Sequence, residues 1–156
     1  RVAERESDFY VGKNLVNMSA TFWRRGEGEK EYVQSHLKDE KLLRDVRLWE
    51  ELFFEQIAAE ERRFKGGPAF SSLSPSEQEE VMERFRNAVF GQLGTSVFNM
   101  VECGVDESAV RVFAMKMGAA AELSDELLDQ LMLSITAAAA AAGASTPQAP
   151  RSYGSS

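Results

Sequence analysis

Apolar residues recur with a helical period along almost the whole chain. Between Asp8 and Trp23, Val11, Leu15, Met18 and Phe22 fall three or four positions apart and form one helical stripe. Ser7 or Asp8 can cap that helix, and Gly26 and Gly28 punctuate its end. Glu29 to Asp39 predicts a short helix carrying Tyr32, Val33 and Leu37. Lys41 to Phe64 is the clearest long helix. Leu42, Val46, Trp49, Phe53, Ile57 and Phe64 lie near one face of it, and Leu43, Leu52 and Phe54 widen the stripe. Gly66-Gly67-Pro68 should stop it, because Gly permits a left-handed φ and Pro cannot continue a helix.

Ser74-Pro75-Ser76-Glu77 is a strong helix start. Ser74 caps, Pro75 takes the first helical position and Glu77 closes a capping box. The helix carries Val81, Phe85, Val89, Leu93, Val97 and Met100, with Gly91 and Gly94 inside it. Each interior glycine costs about 1 kcal/mol against Ala. The expectation is that they let another helix pack closely, or that they mark a kink. Asp106 caps a shorter helix with Val110, Phe113, Ala114 and Met117, ended by Gly118. Ser124 caps the last, with Leu127, Leu128, Leu131 and Ile135, prolonged by Ala137 to Ala142. From Gly143 onward Ser, Thr, Pro, Gln and Gly dominate, which predicts a disordered tail. No stretch alternates well enough to predict a strand, and no repeat of solenoid length is visible. The pattern predicts an all-α, single-domain bundle of five to six helices over residues 7–142, with a tail over residues 143–156.

Composition narrows the function. The chain has 156 residues, with 25 acidic and 18 basic side chains and a net charge of −7. That length suits one core, and falls short of the roughly 250 residues of a TIM barrel. The acidic balance argues against nucleic-acid binding. The only basic concentrations, Arg24–Arg25 and Arg62–Arg63, each stand beside acids. One Cys cannot make an intrachain disulfide, and one His with one Cys cannot make a His/Cys zinc site. No apolar run reaches the roughly 18 residues that an integral membrane segment needs. Arg1 is followed by no signal-peptide pattern. The missing start Met suggests a piece of a longer chain.

Little of the chain reads as catalytic. His36 stands in no recognised motif and reads as an ordinary helix residue. Cys103 lacks the Arg six residues on that a cysteine phosphatase needs, since that position is Ala109. It reads as a structural thiol. Gly91 to Ser96 lacks the Lys of a phosphate loop, and Gly26-Glu27-Gly28 is set among acids that would repel a pyrophosphate. Glu50-Glu51, Glu60-Glu61 and Glu79-Glu80 lack the Glu-x-x-His pairs of a di-iron bundle. Asp106-Glu107 is no calcium loop. No cofactor, metal or catalytic residue is expected.

The aromatics carry more. Trp49 and Phe53 lie four apart and Phe54 is adjacent, so one of the three is expected to face outward beside helix charges. Trp49, Glu50, Phe53 and Phe54 are therefore the candidate partner-binding residues.

The run Arg47-Leu48-Trp49-Glu50-Glu51-Leu52-Phe53-Phe54-Glu55 resembles a helix of the SET-binding-factor pseudophosphatases and the MAP-kinase-activating death-domain protein. The resemblance opens at His36-Leu37 and includes Ile57 and Glu60. It continues through an acidic start near Glu77 to Glu80, a long apolar helix, Val110 to Met117 and Leu127 to Leu131, covering roughly Tyr32 to Leu133. It is nearest to a KIAA-series vertebrate protein that carries this region without a DENN domain. Tryptophan followed by an acid and two aromatics marks packing rather than a reaction. The short linker Gly66 to Leu73, and Arg62-Arg63, depart from the larger relatives.

The resemblance implies a cytoplasmic interaction module and no transferable active site. The combined expectation is a non-enzymatic cytoplasmic adaptor module in neuronal signalling or cytoskeletal regulation. Its partner would be a small GTPase or a cytoskeletal or scaffold protein. The alternative is a small-GTPase effector or exchange-factor-associated regulator, in which Trp49, Glu50 and Glu51 reach the GTPase. The Val81 to Met100 stripe can pair with another copy, and intramolecular packing explains it equally well.

Overall fold

The computed structural model describes residues 23–25, 30–32 and 41–144. The expected helix from Asp8, apart from Trp23, lies outside these residues. So do His36 and the tail from residue 145 onward. Trp23–Arg25 (β1) pairs antiparallel with Lys30–Tyr32 (β2), setting Trp23 opposite Tyr32 and Arg25 opposite Lys30. This corrects the helical reading of Trp23 and of Lys30 to Tyr32, and the rest of the helix expected over Glu29 to Asp39 lies outside the described residues. Three residues are too few to display alternation, and the strand preference of Trp and Tyr outweighs the local pattern.

Five α-helices follow, as an all-α bundle requires. A 3-10 turn, Lys41–Arg44, precedes α1, Val46–Lys65. The helix begins later than its apolar pattern because Asp45 accepts from the Arg47 backbone N–H at 3.0 Å. The Trp49 indole N–H donates to the Leu43 carbonyl at 2.8 Å and ties the 3-10 turn to α1. Gly66 ends α1 with φ −77°, so the stop is not a left-handed glycine, and Pro68 opens the short α2, Pro68–Ser71. The capping box forms as the sequence predicts. The Glu77 carboxylate accepts from the Ser74 N–H at 2.8 Å, and α3 then runs unbroken from Pro75 to Glu102.

Gly104 takes φ 76° after α3, and the Val105 N–H closes back to the Met100 carbonyl at 3.0 Å. Asp106 caps α4, Glu107–Ala120. Glu122 follows with φ 54°, left-handed without being glycine, while the Leu123 N–H returns to the Gly118 carbonyl at 3.0 Å. Ser124 accepts from the Leu127 N–H at the start of α5, Asp125–Ala144, which runs two residues past the expected end at Ala142.

The helices make two layers. α1 runs antiparallel to α3, with Phe64 edge-on to Phe85 at 6.1 Å and the Gln92 amide donating to Glu60 at 2.9 Å. α5 lies along the other flank of α3 and runs parallel to it. Near the N-termini Glu83 and Asn87 share a recess with Ser124 and Leu127, and further along Gly94 and Phe98 share a groove with Ser134 and Ala138. α4 crosses behind and packs on α1, α3 and α5. The core lies between the layers. Leu48, Phe53, Val89, Leu93, Met100, Phe113, Met117, Leu131 and Ile135 are all buried there, with Phe53 edge-on to Phe113 at 6.1 Å. Each such side chain contributes about 1.5–3 kcal/mol by leaving water.

Two glycine sites behave oppositely. A Cβ on Gly118 would fall 2.2 Å from Leu128 Cδ2, so the α4–α5 hairpin closes onto a bare backbone. A Cβ on Gly91 or Gly94 would meet nothing within 4 Å. The expected close helix contact at Gly91 and Gly94 is therefore absent among the described residues, and α3 is not broken there. Those two glycines lie on the face of α3 turned away from α4.

A candidate interaction surface

Residues 87–101 of α3 and 130–144 of α5 contain no Asp, Glu, Lys or Arg, in a chain that is 28% charged. Both runs are helical, and the parallel packing brings them together on one side of the molecule. Between them lies a groove of about 280 Å³ lined by Phe90, Gly91, Gly94, Phe98, Gln130, Ser134 and Ala138, floored by Val97 and Leu131. A second groove of about 270 Å³ lies on the other flank of α3. Trp49, Leu52 and Gln56 of α1 line it against Ala88, Gly91, Gln92, Thr95, Ser96 and Asn99.

Gly91 borders both grooves, so the ridge of α3 drops to backbone between them. Phe98, 55% exposed, stands at one end of this saddle, and Leu133 projects from α5 at 73% exposure. On the α1 side the Gln56 and Gln92 side-chain oxygens are buried with no hydrogen-bond donor among the described residues.

Toward the N-termini of α3 and α5 the surface changes character. Glu79, Glu83, Arg86, Asn87, Glu122, Ser124 and Leu127 border a recess of about 360 Å³ there. Glu126 stands one helical turn before Gln130 on α5. Arg86 is the cation of this recess, and Glu79 holds it at 2.5 Å. The surface is acidic at one end and charge-free at the other.

The shifted carboxyls lie at helix caps rather than in the grooves. Hydrogen bonding by Arg47 holds Asp45 below the usual range. Ser74 does the same for Glu77, and Ser108 with the Ala109 N–H for Asp106. Among the described residues no His, Cys, Asp and Glu cluster could hold a metal ion, and no helix is long and apolar enough to cross a membrane.

The candidate residues read from sequence separate in the structure. Trp49 (3% exposed) and Phe53 (0%) are core, which corrects their assignment as partner anchors. Positions 49 and 53 share the inward face of α1, wedged against α3 and α4, and the four-residue spacing that made them conspicuous is itself a core spacing. Phe54 turns outward and is 47% exposed. Glu50 is partly covered and accepts from the Lys116 ammonium at 2.8 Å. Phe54 follows Glu50 by one turn, and exposed Val112 precedes Lys116 by one turn, so apolar side chains flank that ion pair. Cys103 is buried in the turn between α3 and α4. Sequence reasoning missed Phe98 and the saddle at Gly91 and Gly94. Their signal was the charge-free run itself.

The chain is similar to a human protein. That relative, described as "Uncharacterized protein KIAA0513", is 29% identical over 114 residues, which cover 64% of this chain and 27% of the relative. The chain thus spans under a third of its length. No protein-family model and no solved structure matches the chain. The comparison agrees with the KIAA-series part of the resemblance. It supplies nothing for the SET-binding-factor or MAP-kinase-activating type.

Proposed function

We propose that this bundle is a non-enzymatic, cytoplasmic protein-interaction module, an adaptor that binds a partner on the outward face of α3. The observation that carries the reading is the charge-free groove between α3 and α5, with Phe98 exposed on its rim and two glycines in its saddle. Both glycines lower helix stability, and no contact among the described residues uses the space they leave. A surface that accepts this cost keeps its backbone bare for something to approach. The signalling or cytoskeletal setting rests on the resemblance alone. Burial of Trp49 weighs against a small-GTPase regulator that would insert that side chain, and the adaptor reading is preferred.

Affinity capture from cytosol tests this, with the chain and its Gly94→Leu variant as baits, each in GDP and in a non-hydrolysable GTP analogue. A partner retained by the chain in both nucleotides and lost by the variant, whose helical circular dichroism stays intact, is the expected result. Capture in one nucleotide state alone would shift the reading to a GTPase effector. Equal recovery by both baits would remove the α3 face from it.

A further inference from the structure

We infer that the occupant of this face is an amphipathic helix from a partner protein, apolar along one side and basic in its C-terminal turn, lying antiparallel to α3 and α5. The inference rests on the interaction reading above and adds the chemistry and direction of the partner.

Length, charge and dipole each constrain it. The acidic recess and the charge-free groove follow one another along α3, and from Glu83 to Phe98 they span roughly 22 Å at 1.5 Å per residue, the length of a partner helix of about four turns. Along the charge-free half, Gly91, Gly94 and Ser134 offer small side chains or none, so a second backbone can come close, and Phe98 offers an apolar wall. At the other end Glu79, Glu83 and Glu122 border the recess with Arg86, which Glu79 already engages, and exposed Glu126 stands one turn before Gln130 of the groove, so an incoming Lys or Arg finds acceptors there. α3 and α5 both point their N-termini toward this acidic end. An occupant antiparallel to them places its own C-terminus there, where its dipole already favours basic residues. Charge placement and dipole therefore select one direction.

A second copy of the chain fits less well. Each copy carries a net charge of −7, and its acidic end would find only the charge-free half of its neighbour. The pairing would leave the carboxylates without counter-charge.

The test uses the full chain and three labelled synthetic helices of about 16 residues, read by fluorescence anisotropy at low ionic strength. All share Leu and Ala at helical spacing. One carries three Lys in its last turn, one carries them in its first turn, and one carries Glu in its last turn. The C-terminal Lys peptide should bind at least about tenfold tighter than either of the others, and added salt should erode that margin. Gly94→Leu should weaken it by a similar factor, Glu83→Gln with Glu126→Gln should remove the preference among peptides, and Phe54→Ser should change neither.

Equal binding of the Lys peptides would overturn the assigned direction. Binding lost in Phe54→Ser but kept in Gly94→Leu would overturn the site while leaving a protein-interaction module that uses the surface near Glu50. Failure of all three peptides, with a dimer in sedimentation equilibrium that Gly94→Leu dissolves, would replace the partner helix by a second copy. Failure of the peptides and of cytosolic capture together would remove the interaction reading itself.

Discussion

Replacing Gly91 and Gly94 by Ala asks whether the outward face of α3 is open. Both residues sit inside a helix, neither has a left-handed φ, and a Cβ on either meets nothing within 4 Å among the described residues. The substitution adds a methyl group to solvent and removes backbone freedom from the unfolded chain. Each change should therefore stabilise by about 0.5–1 kcal/mol, and the pair by about 1–2 kcal/mol, being independent of any packing adjustment. For a bundle of this size that is a rise in Tm of roughly 5–10 °C. Thermal unfolding followed at 222 nm gives the shift, and urea titration gives the free energy with a check that the slope is unchanged. Gly118→Ala is the internal control. It gains the same propensity but must displace Leu128, so its benefit should be cancelled or reversed. A fall in Tm for Gly91→Ala or Gly94→Ala would mean that atoms already cover these positions. It would refute both the open saddle and the docking helix drawn onto it.

Other perturbations separate core from surface. Phe53→Ala should cost about 3–5 kcal/mol in urea unfolding, whereas Phe54→Ala one position on should stay within about 0.5 kcal/mol. Trp49→Phe keeps an aromatic side chain but is smaller and leaves the buried Leu43 carbonyl without its donor, and the lost donor alone costs about 1–3 kcal/mol by the same measurement. Glu122→Gly relieves a left-handed residue at the end of α4 and should stabilise by about 1 kcal/mol, visible as a higher urea midpoint. Asp45, Glu77 and Asp106 titrate below their ordinary values of 3.8, 4.5 and 3.8 in the folded chain, so on acidification protons bind the unfolded chain first. The stability they add is whole above about pH 5 and is lost as pH falls through the lowered values. Ser74→Ala should flatten that part of the profile in a pH series of urea midpoints.

The helical skeleton was legible because its signals are local. Ser74 with Glu77, Asp106 and Ser124 announce helix starts from side-chain chemistry within a few residues, and all three form as read. The start of α1 was misplaced because Leu42 and Leu43 continue the apolar stripe. The 3-10 turn buries Leu43 just as a helix would, and only the Asp45 cap distinguishes the two. The β1–β2 pair was invisible at three residues a strand. The interaction surface was harder. Trp49, Glu50, Phe53 and Phe54 are adjacent in sequence, and periodicity cannot say which flank of a helix meets a neighbour until the neighbours are placed. Gly91 and Gly94 show the same limit. The sequence reports a cost to the helix, and only the layer arrangement shows that α4 lies on the opposite side, leaving the bare backbone outward.

The buried thiol of Cys103 gives the joint between α3 and α4 a built-in clock. The chain contains one cysteine, and the left-handed Gly104 follows it in a turn closed by the Val105 to Met100 hydrogen bond. A thiol reagent can react only while that turn is open. The rate of modification in native buffer therefore measures how often the two layers part at this corner. Its dependence on urea tells whether they part by local opening or only when the whole bundle unfolds. No label need be engineered, and because Phe98 of the groove lies within two turns of Cys103, occupancy there is read as a change in that rate.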